Sequence, residues 1–137
     1  MILTDTSALF ALLDRASAEH ESVKEAYIDL SRADRLATHS YIVLETIALT
    51  QRRLGIAAVE TLVRRILPSI AVDWVDRPLH DAALDELLAS SKRDVSLVDR
   101  VSFVWMRRQG VRTAFGLDSD FESEGFELVP GSVGSVS

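Results

Sequence analysis

Cysteine is absent from this 137-residue chain, and strong metal-binding motifs based on histidine are absent too. Without cysteine, disulfide frameworks, thiolate zinc sites and cysteine nucleophiles are excluded, and the absence fits a reducing compartment. The three histidines show no HExxH or other metal-ligating spacing. Any bound metal ion would therefore be held mostly by oxygen.

Long hydrophobic runs and an excess of basic residues are also missing. The apolar runs fall well short of the roughly 20 residues that a membrane span needs, and Asp5 comes early, with no basic segment typical of a signal peptide. We therefore expect a cytoplasmic protein with no membrane partner. The 15 Lys and Arg against 21 Asp and Glu give a net charge of −6, which argues against broad nucleic-acid binding through a basic face. A nucleic-acid enzyme is not excluded, because an acidic metal site would itself make the charge negative.

Short β runs alternate with amphipathic helical patterns along the whole chain. Strands are predicted at ILT, RLATH, IAVDWV, VRTAFGLD and FELV, with helices between them, one of which covers residues 56–67 and stops at Pro68. This alternation with short links predicts an α/β fold in which helices cover a mostly parallel sheet. We expect one domain over residues 1–130 and a disordered Gly/Ser-rich tail over residues 131–137.

Four acidic residues are predicted to meet at the carboxyl edge of this sheet. Asp5 and Asp118 come at the ends of predicted strands, Asp99 lies in the first turn of a helix, and Glu45 interrupts the apolar stripe of another helix. In open α/β sheets, ligands bind beyond the carboxyl ends of the strands. Clustered carboxylates raise one another's pKa unless a cation compensates their charge, and Mg²⁺ and Mn²⁺ prefer carboxylate oxygen. The pattern therefore predicts a divalent metal site.

Each acid also has a purely structural interpretation. Asp5 and Asp118 suit the N-caps of the helices that follow them, and Ser96 with Asp99 matches a capping box. Glu45 would otherwise need a buried basic partner, because an unpaired carboxylate out of water is costly. Taken one at a time, the residues leave both interpretations open.

Four fragments occur in the order and at the separations of a known family. They are LTDTSAL, THSYIVLETIALTQRRLG, SLVDRVSFVWMRRQG and AFGLDSDFESEGFELVP, each centred on one of the four acids. From about Ile2 to Pro130 the chain resembles a PIN domain, and more narrowly a VapC-type toxin ribonuclease of a bacterial toxin–antitoxin pair. The resemblance implies a three-layer α/β/α fold.

The same resemblance implies a Mg²⁺- or Mn²⁺-dependent, site-specific endoribonuclease that acts as a toxin. Its RNA-hydrolysing site would use four acids both in catalysis and as metal ligands, with Asp120 as a further ligand. Nearby hydroxyl groups would hold carboxylates or waters in place. The implied partners are an RNA substrate, a second copy in a homodimer, and a VapB-like antitoxin whose C-terminal segment blocks the acidic pocket. The four acids are Asp5, Glu45, Asp99 and Asp118, and the hydroxyl residues are Thr6, Ser7 and Ser96.

Basic residues near the third acid are the predicted RNA contacts. Lys92 and Arg93 precede the helix that carries Asp99, which favours contact with phosphate. Arg100 stands where relatives of this pattern often carry a small residue, and there it is predicted as a phosphate clamp or a charge partner of the acids. A set of aromatic residues could stack on bases, but their spacing favours the core. The set is Trp74, Phe103, Trp105 and Phe115.

Other functions stay open at the level of residues. A PIN-type RNA-processing or flap DNA nuclease would use the same acids. A receiver-type phosphoacceptor domain is also α/β and binds Mg²⁺, but it wants an acidic pair after the first strand and a late lysine. Here Thr6 and Ser7 follow that strand, and no lysine follows Lys92. A non-catalytic interaction module would be signalled by the loss of one acid, and none is lost. The RNA target, the number of metal ions and the general base do not follow from the residues.

Overall fold

The computed structural model describes residues 1–131, so the predicted disordered tail lies outside the described residues except for Gly131. Within them, five strands form one sheet in the order β3-β2-β1-β4-β5, and all four pairings are parallel. The predicted α/β class with a parallel central sheet is confirmed, whereas a single domain over residues 1–130 remains a prediction. The strands are β1 (Ile2–Thr4), β2 (Leu36–His39), β3 (Ala71–Asp73), β4 (Thr113–Phe115) and β5 (Glu127–Val129).

Seven α-helices occur in the described chain, and side-chain caps begin most of the longer ones. Asp5, His39, Asp76 and Ser96 each accept a hydrogen bond from a backbone N–H in the first turn of the helix that follows. None of the helices within residues 1–131 is long and apolar enough to cross a membrane. The helices are α1 (Thr6–Leu13), α2 (His20–Arg32), α3 (Ser40–Leu54), α4 (Ile56–Thr61), α5 (Arg77–Ala89), α6 (Leu97–Gln109) and α7 (Asp120–Ser123).

The helix predicted over residues 56–67 changes its winding partway. Regular α-helix ends at Thr61, Leu62–Ile66 is π-helical, and Leu67–Ser69 is a 3₁₀ turn. The N–H of Leu67 donates to the carbonyl oxygen of Leu62, five residues back. Pro68 has no N–H to continue an α-helical ladder, so the chain turns there toward β3.

Burial follows position in the sheet. All three residues of the central strand β1 are buried, whereas the edge strand β3 has exposed ends. Phe103, Trp105 and Phe115 lie in the core as predicted, but Trp74 is 77% exposed and its predicted core position is wrong. Trp74 follows the last residue of the edge strand, where burial by a neighbouring strand is available on only one side.

The direction in which strands are added reverses at β1. Strands β2 and β3 extend to one side and β4 and β5 to the other, so the carboxyl ends of β1 and β4 flank the crevice where open α/β sheets bind ligands. Asp5 comes directly after β1, and its N–H donates to the carbonyl oxygen of Phe115 in β4 (2.9 Å). The sheet therefore brings the acids after β1 and β4 to one place.

Candidate active site

Three carboxylates converge beside this crevice. One oxygen from each of Asp99, Asp118 and Asp120 lies within 4.8 Å of the other two, and all three residues are partly buried. Asp99 comes from the first turn of α6, while Asp118 and Asp120 come from the bend and short helix after β4. Asp5 and Glu45 are not members of this group of three, although their charges reach it.

Asp5 is the most buried of the acids, at 5% exposure. Its Oδ2 accepts from the N–H of Ser7 (3.2 Å) and from the Ser7 hydroxyl (2.7 Å). Burial, with smaller contributions from the negative charges of Asp99 and Asp118, raises the pKa of Asp5 to about 6 despite these hydrogen bonds. The carboxyl group therefore lies near the other acids, and no ion pair within residues 1–131 compensates its charge.

The Ser7 hydroxyl connects two of the acid-bearing segments. Ser7 Oγ donates to Asp5 and accepts from the N–H of Leu117 (2.9 Å), the residue before Asp118. Gly116 makes this approach possible, because a Cβ at that position would lie 3.1 Å from Asp5 Cβ and 3.2 Å from Ser7 Oγ. Ser7 thus ties the turn after β1 to the turn after β4, as expected of a hydroxyl that holds a carboxylate in place.

Glu45 approaches from α3 and is partly buried beside the stripe of Ile42, Thr46 and Thr50 that packs inward. The ion pairs within residues 1–131 do not include Glu45, so the described residues offer no support for a buried basic partner. Its charge contributes to the raised pKa of Asp99, after the larger effect of burial. Glu45 therefore lies within electrostatic range of the three-acid group.

Asp5 and Asp99 have the capping roles proposed for them and also lie near the other acids. Asp118 is not the N-cap of α7, which is Ser119, although the N–H of Asp120 donates to Asp118 Oδ1 (2.9 Å). In the capping box of α6, the N–H of Asp99 donates to Ser96 Oγ (3.2 Å) and the N–H of Ser96 donates to Asp99 Oδ2 (3.1 Å). Each carboxylate has two oxygens with several lone pairs, so a cap does not prevent it from binding a cation.

Burial also raises the pKa of Asp99 and Asp120. For Asp120 the nearby charges of Asp118 and Asp94 act in the same direction, and the charge of Lys92 opposes them. The basic segment before α6 therefore lies close to the acidic group. Lys92 and Arg93 are exposed there, in keeping with a surface that could meet phosphate.

Arg100 is placed differently from its two basic neighbours. It is 8% exposed, and its guanidinium group donates to the carbonyl oxygens of Val95 (3.3 Å, from Nε) and Lys92 (3.2 Å, from Nη2). Neither bond goes to a carboxylate. Contact of Arg100 with RNA stays a prediction that this burial does not favour.

His39 joins two acid-bearing helices and was not singled out from the sequence. Its Nδ1 accepts from the N–H of Ile42 (3.3 Å) and its Nε2 bonds Ser102 Oγ (2.8 Å), which donates to the carbonyl oxygen of Val98 (3.1 Å). Burial lowers the pKa of His39 to about 4, although Asp73 acts in the opposite direction. The neutral imidazole thus links the start of α3 to the first turns of α6.

Thr46 and Gly116 were also missed. Thr46 Oγ1 donates to the carbonyl oxygen of Ile42 (2.7 Å) and lies 3.3 Å from Thr6 Oγ1, so α3 is connected to α1 next to Glu45 and Asp5. The sequence signal that could have identified Thr46 was its position directly after Glu45, a predicted site acid. The close approach at Gly116 depends on two distant turns and has no local signature.

The donor set fits a hard divalent cation. The three converging groups are carboxylates, and the raised pKa of the buried Asp5 shows that the arrangement disfavours negative charge without a cation. Mg²⁺ and Mn²⁺ prefer such oxygen ligands. The fold and the site together define an α/β protein with a cluster of acids, suited to a divalent cation, at the topological switch point of its sheet.

Comparison with known proteins narrows this class. The PIN domain family model matches residues 2–126, and the chain belongs to this family. The 23S rRNA-specific endonuclease VapC20 of Mycobacterium tuberculosis (strain ATCC 25618 / H37Rv) is 33% identical over 127 residues, which cover 92% of this chain and 95% of that protein. The same figures hold for VapC20 of strain CDC 1551 / Oshkosh.

A solved structure gives the same result. The crystal structure of Mycobacterium tuberculosis VapC20, described as a sarcin–ricin loop cleaving toxin, matches with a TM-score of 0.82 at 30% identity, covering 92% of this chain and 96% of that one. The resemblance to VapC-type toxins and the α/β/α PIN fold are thereby confirmed. The chain is a homologue of VapC-type toxin endoribonucleases, which confirms the predicted enzyme class.

Proposed function

We propose that this protein is a Mg²⁺- or Mn²⁺-dependent endoribonuclease that hydrolyses RNA phosphodiesters as the toxin of a toxin–antitoxin pair. The observation that carries the proposal is the convergence of carboxylate oxygens from Asp99, Asp118 and Asp120 within 4.8 Å. Homology over 92% of the chain to an endonuclease supports the same reaction. We also keep the cytoplasm as the proposed location, because an RNA substrate would be found there.

In this proposal Asp99, Asp118 and Asp120 would hold the cation, and Asp5 completes the acidic site from its buried side. A divalent ion bound there would supply a water of lowered pKa and neutralise charge on the leaving oxygen. Glu45, whose charge acts on Asp99 from the middle of α3, would orient the attacking water or accept its proton.

Hydroxyl groups hold these carboxylates in position. Ser7 bonds Asp5 and the backbone before Asp118, and Ser96 shares the capping box with Asp99. Thr6 is buried against Thr46 beside Glu45. Support of this kind keeps ligands within the narrow geometry that metal binding requires.

We further propose that the substrate is a structured ribosomal RNA loop whose phosphates meet Lys92 and Arg93. VapC20, which is 33% identical to this chain, is named as a 23S rRNA-specific endonuclease. Cleavage of purified ribosomes, a sarcin–ricin loop oligonucleotide, a tRNA pool and a DNA flap can be compared under identical conditions. Preference for tRNA would contradict the ribosomal target and indicate a tRNA substrate. Preference for the flap would favour the DNA nuclease alternative.

The partners proposed for this chain are a second copy of itself and a VapB-like antitoxin. Exposed apolar residues on α3 and α5, Leu44 and Leu88, are available for association between copies. A cavity of about 820 Å³ between α1, α2 and α4, lined by Leu12, Tyr27 and Ala58 among others, offers a partly apolar groove for an antitoxin segment. Light scattering of the chain alone tests whether it forms a dimer. Light scattering of its mixture with the cognate antitoxin tests whether the two bind.

The central experiment measures Mn²⁺ binding by calorimetry and RNA cleavage in the same buffers. Asp118→Asn should weaken Mn²⁺ binding and lower cleavage by about 10²-fold or more. Glu45→Gln keeps the size of the side chain and removes its charge, so it should lower cleavage with a smaller effect on Mn²⁺ affinity. Asp85→Asn, an exposed acid on α5, is the matched control and should match wild type in both measurements.

A folded wild-type protein that binds no Mn²⁺ would contradict the metal site. Equal cleavage by wild type and Asp118→Asn would contradict the catalytic assignment even if metal binding were seen. Cleavage that persists in excess EDTA would contradict metal dependence.

A further inference from the structure

Arg100 is a buried cation for which the described chain provides no anionic partner. It follows Asp99 directly and is 8% exposed. The ion pairs within residues 1–131 that lie within 4.0 Å involve Arg77 and Arg107 instead. The two hydrogen bonds of Arg100 go to neutral carbonyl groups, so its charge is solvated by backbone dipoles rather than neutralised by a carboxylate.

This placement is unfavourable for the helix that carries Arg100. A cation in the first turn of a helix interacts unfavourably with the positive end of the macrodipole, and a buried charge without a charged partner has a desolvation cost. A neutral side chain at position 100 would suit α6 better on these grounds, so the hydrogen bonds of the guanidinium group are where a role for it can be sought.

What it bonds is the basic loop, defined as residues 90–96 between α5 and α6. The planar guanidinium presents several N–H groups in a rigid fork, and it joins the carbonyl oxygens of Lys92 and Val95 from inside. The N–H of Lys92 in turn donates to Ser90 Oγ (3.1 Å). Both backbone polar groups of Lys92 are therefore held, while the residue itself is exposed.

The basic loop lies beside the acidic site. Ser96, the last residue of the loop, donates from its N–H to Asp99 Oδ2 (3.1 Å), and Asp99 belongs to the three-acid group. The charge of Lys92 also acts on Asp120 of that group. Val95 is buried at the other anchor point of Arg100, so the backbone of Lys92 is held close to the acids, where its exposed side chain is available to a phosphate.

We propose that Arg100 is a positioning residue which, through its hydrogen bonds to Lys92 and Val95, holds the basic loop so that Lys92 binds an RNA phosphate beside the acidic site. The inference rests on the proposed ribonuclease function. It differs from the prediction that Arg100 itself contacts RNA or pairs with the acids, because the two hydrogen bonds of its guanidinium group go to the loop.

A double-mutant cycle tests this role. Arg100→Lys keeps the charge but loses the planar fork, and Lys92→Gln removes the contact that Arg100 is proposed to support. Each variant should raise KM for RNA about three- to tenfold and leave kcat within about twofold. The double variant should raise KM no more than Lys92→Gln does alone, because the effects of coupled residues do not add.

Salt dependence gives an independent readout. Removing one phosphate contact from a complex with single-stranded RNA reduces the slope of log affinity against log salt by about 0.7. Arg100→Lys should reduce this slope in the wild-type background and leave it unchanged in the Lys92→Gln background. Arg108→Lys, at the exposed far end of the same helix, should change neither the slope nor KM.

Two results would overturn the proposal. One is additive losses in the cycle, which would mean that Arg100 acts independently of Lys92. The other is wild-type KM in both Arg100→Lys and Arg100→Met, the second of which removes every donor. A wild-type protein that cuts no RNA would instead contradict the proposed function, so the two failures are distinguishable.

Discussion

The two ends of helix α6 use charge in opposite ways. At the N-terminal end, Asp99 is partly buried among other acids, and Arg100 is buried and forms no ion pair with residues 1–131, in a turn where the macrodipole disfavours a cation. At the C-terminal end, Arg107 is 45% exposed and lies near Glu86 (3.6 Å) and Glu124 (2.9 Å). Its guanidinium carbon also lies 5.9 Å from the centre of the Phe126 ring.

The two ends differ in what their charges contribute to the folded state. Every contact of Arg107 is favourable to the folded state, including its position in the last turn of the helix. Asp99 is favoured by its capping box but is partly buried among other acids, and Arg100 is buried, so both carry a desolvation cost in the folded protein. Such placement of charged groups is typical of active sites and supports the function proposed for this end of α6.

The largest effect on RNA cleavage is expected when the charge of Asp99 is removed. Asp99→Asn preserves an oxygen that can accept from the N–H of Ser96, so the capping box can persist, but it removes a charge from the proposed metal site. Cleavage of RNA should fall by about 10²-fold or more, while the melting temperature in EDTA stays equal or rises. Arg108→Gln at the other end of α6 should leave cleavage unchanged. A large loss of stability without loss of specific activity would reverse the assignment.

The buried Asp5 gives the next largest effect, and the effect depends on pH. Its pKa is raised to about 6 in the folded protein, so between about pH 4 and pH 6 the folded state holds a proton that the unfolded chain has lost. Metal-free wild-type protein should therefore lose stability as the pH rises through that window, by up to about 3 kcal/mol. Asp5→Asn cannot ionise and should not show this loss.

Urea unfolding in EDTA measures the Asp5 effect directly. The free energy of unfolding of Asp5→Asn should exceed that of wild type by up to about 3 kcal/mol at pH 8, and the gap should close near pH 4. Adding Mn²⁺ should stabilise wild type more than the variant, because only the wild type has a carboxylate at position 5 in addition to the other acids. A gap that is equal at both pH values would show that ionisation of Asp5 is not its cause.

The smallest effect is expected at the C-terminal end of α6. Arg107→Ala removes two exposed ion pairs and a cation–π contact, which together should lower the free energy of unfolding by about 1 kcal/mol or less. The loss should shrink further at 1 M salt because exposed charges are screened. RNA cleavage should not change. A reduction in cleavage at wild-type stability would extend the functional surface along the whole helix.

Local patterns accounted for most of the fold and for the types of residue in the site. Helical spacing, caps and breakers placed the elements within a few residues, and strand ends placed Asp5 near the carboxyl edge. The errors came where neighbours in space decide. The exposure of Trp74 depends on the position of β3 at the edge of the sheet, and the π-helical winding before Pro68 has no signature in the periodicity of the sequence.

The residues alone specify which acids are present, on which elements they lie, and that their chemistry suits a hard cation. The packing of distant segments is needed to bring Asp118 and Asp120 to Asp99, to bury Asp5 beside them, and to turn Arg100 toward the basic loop. The physical reason is the separation along the chain of the residues that each effect involves. Helix and strand periodicity is set by residues a few positions apart, whereas distances among carboxylates and the desolvation of a charge depend on segments that the parallel sheet brings together from opposite ends of the chain.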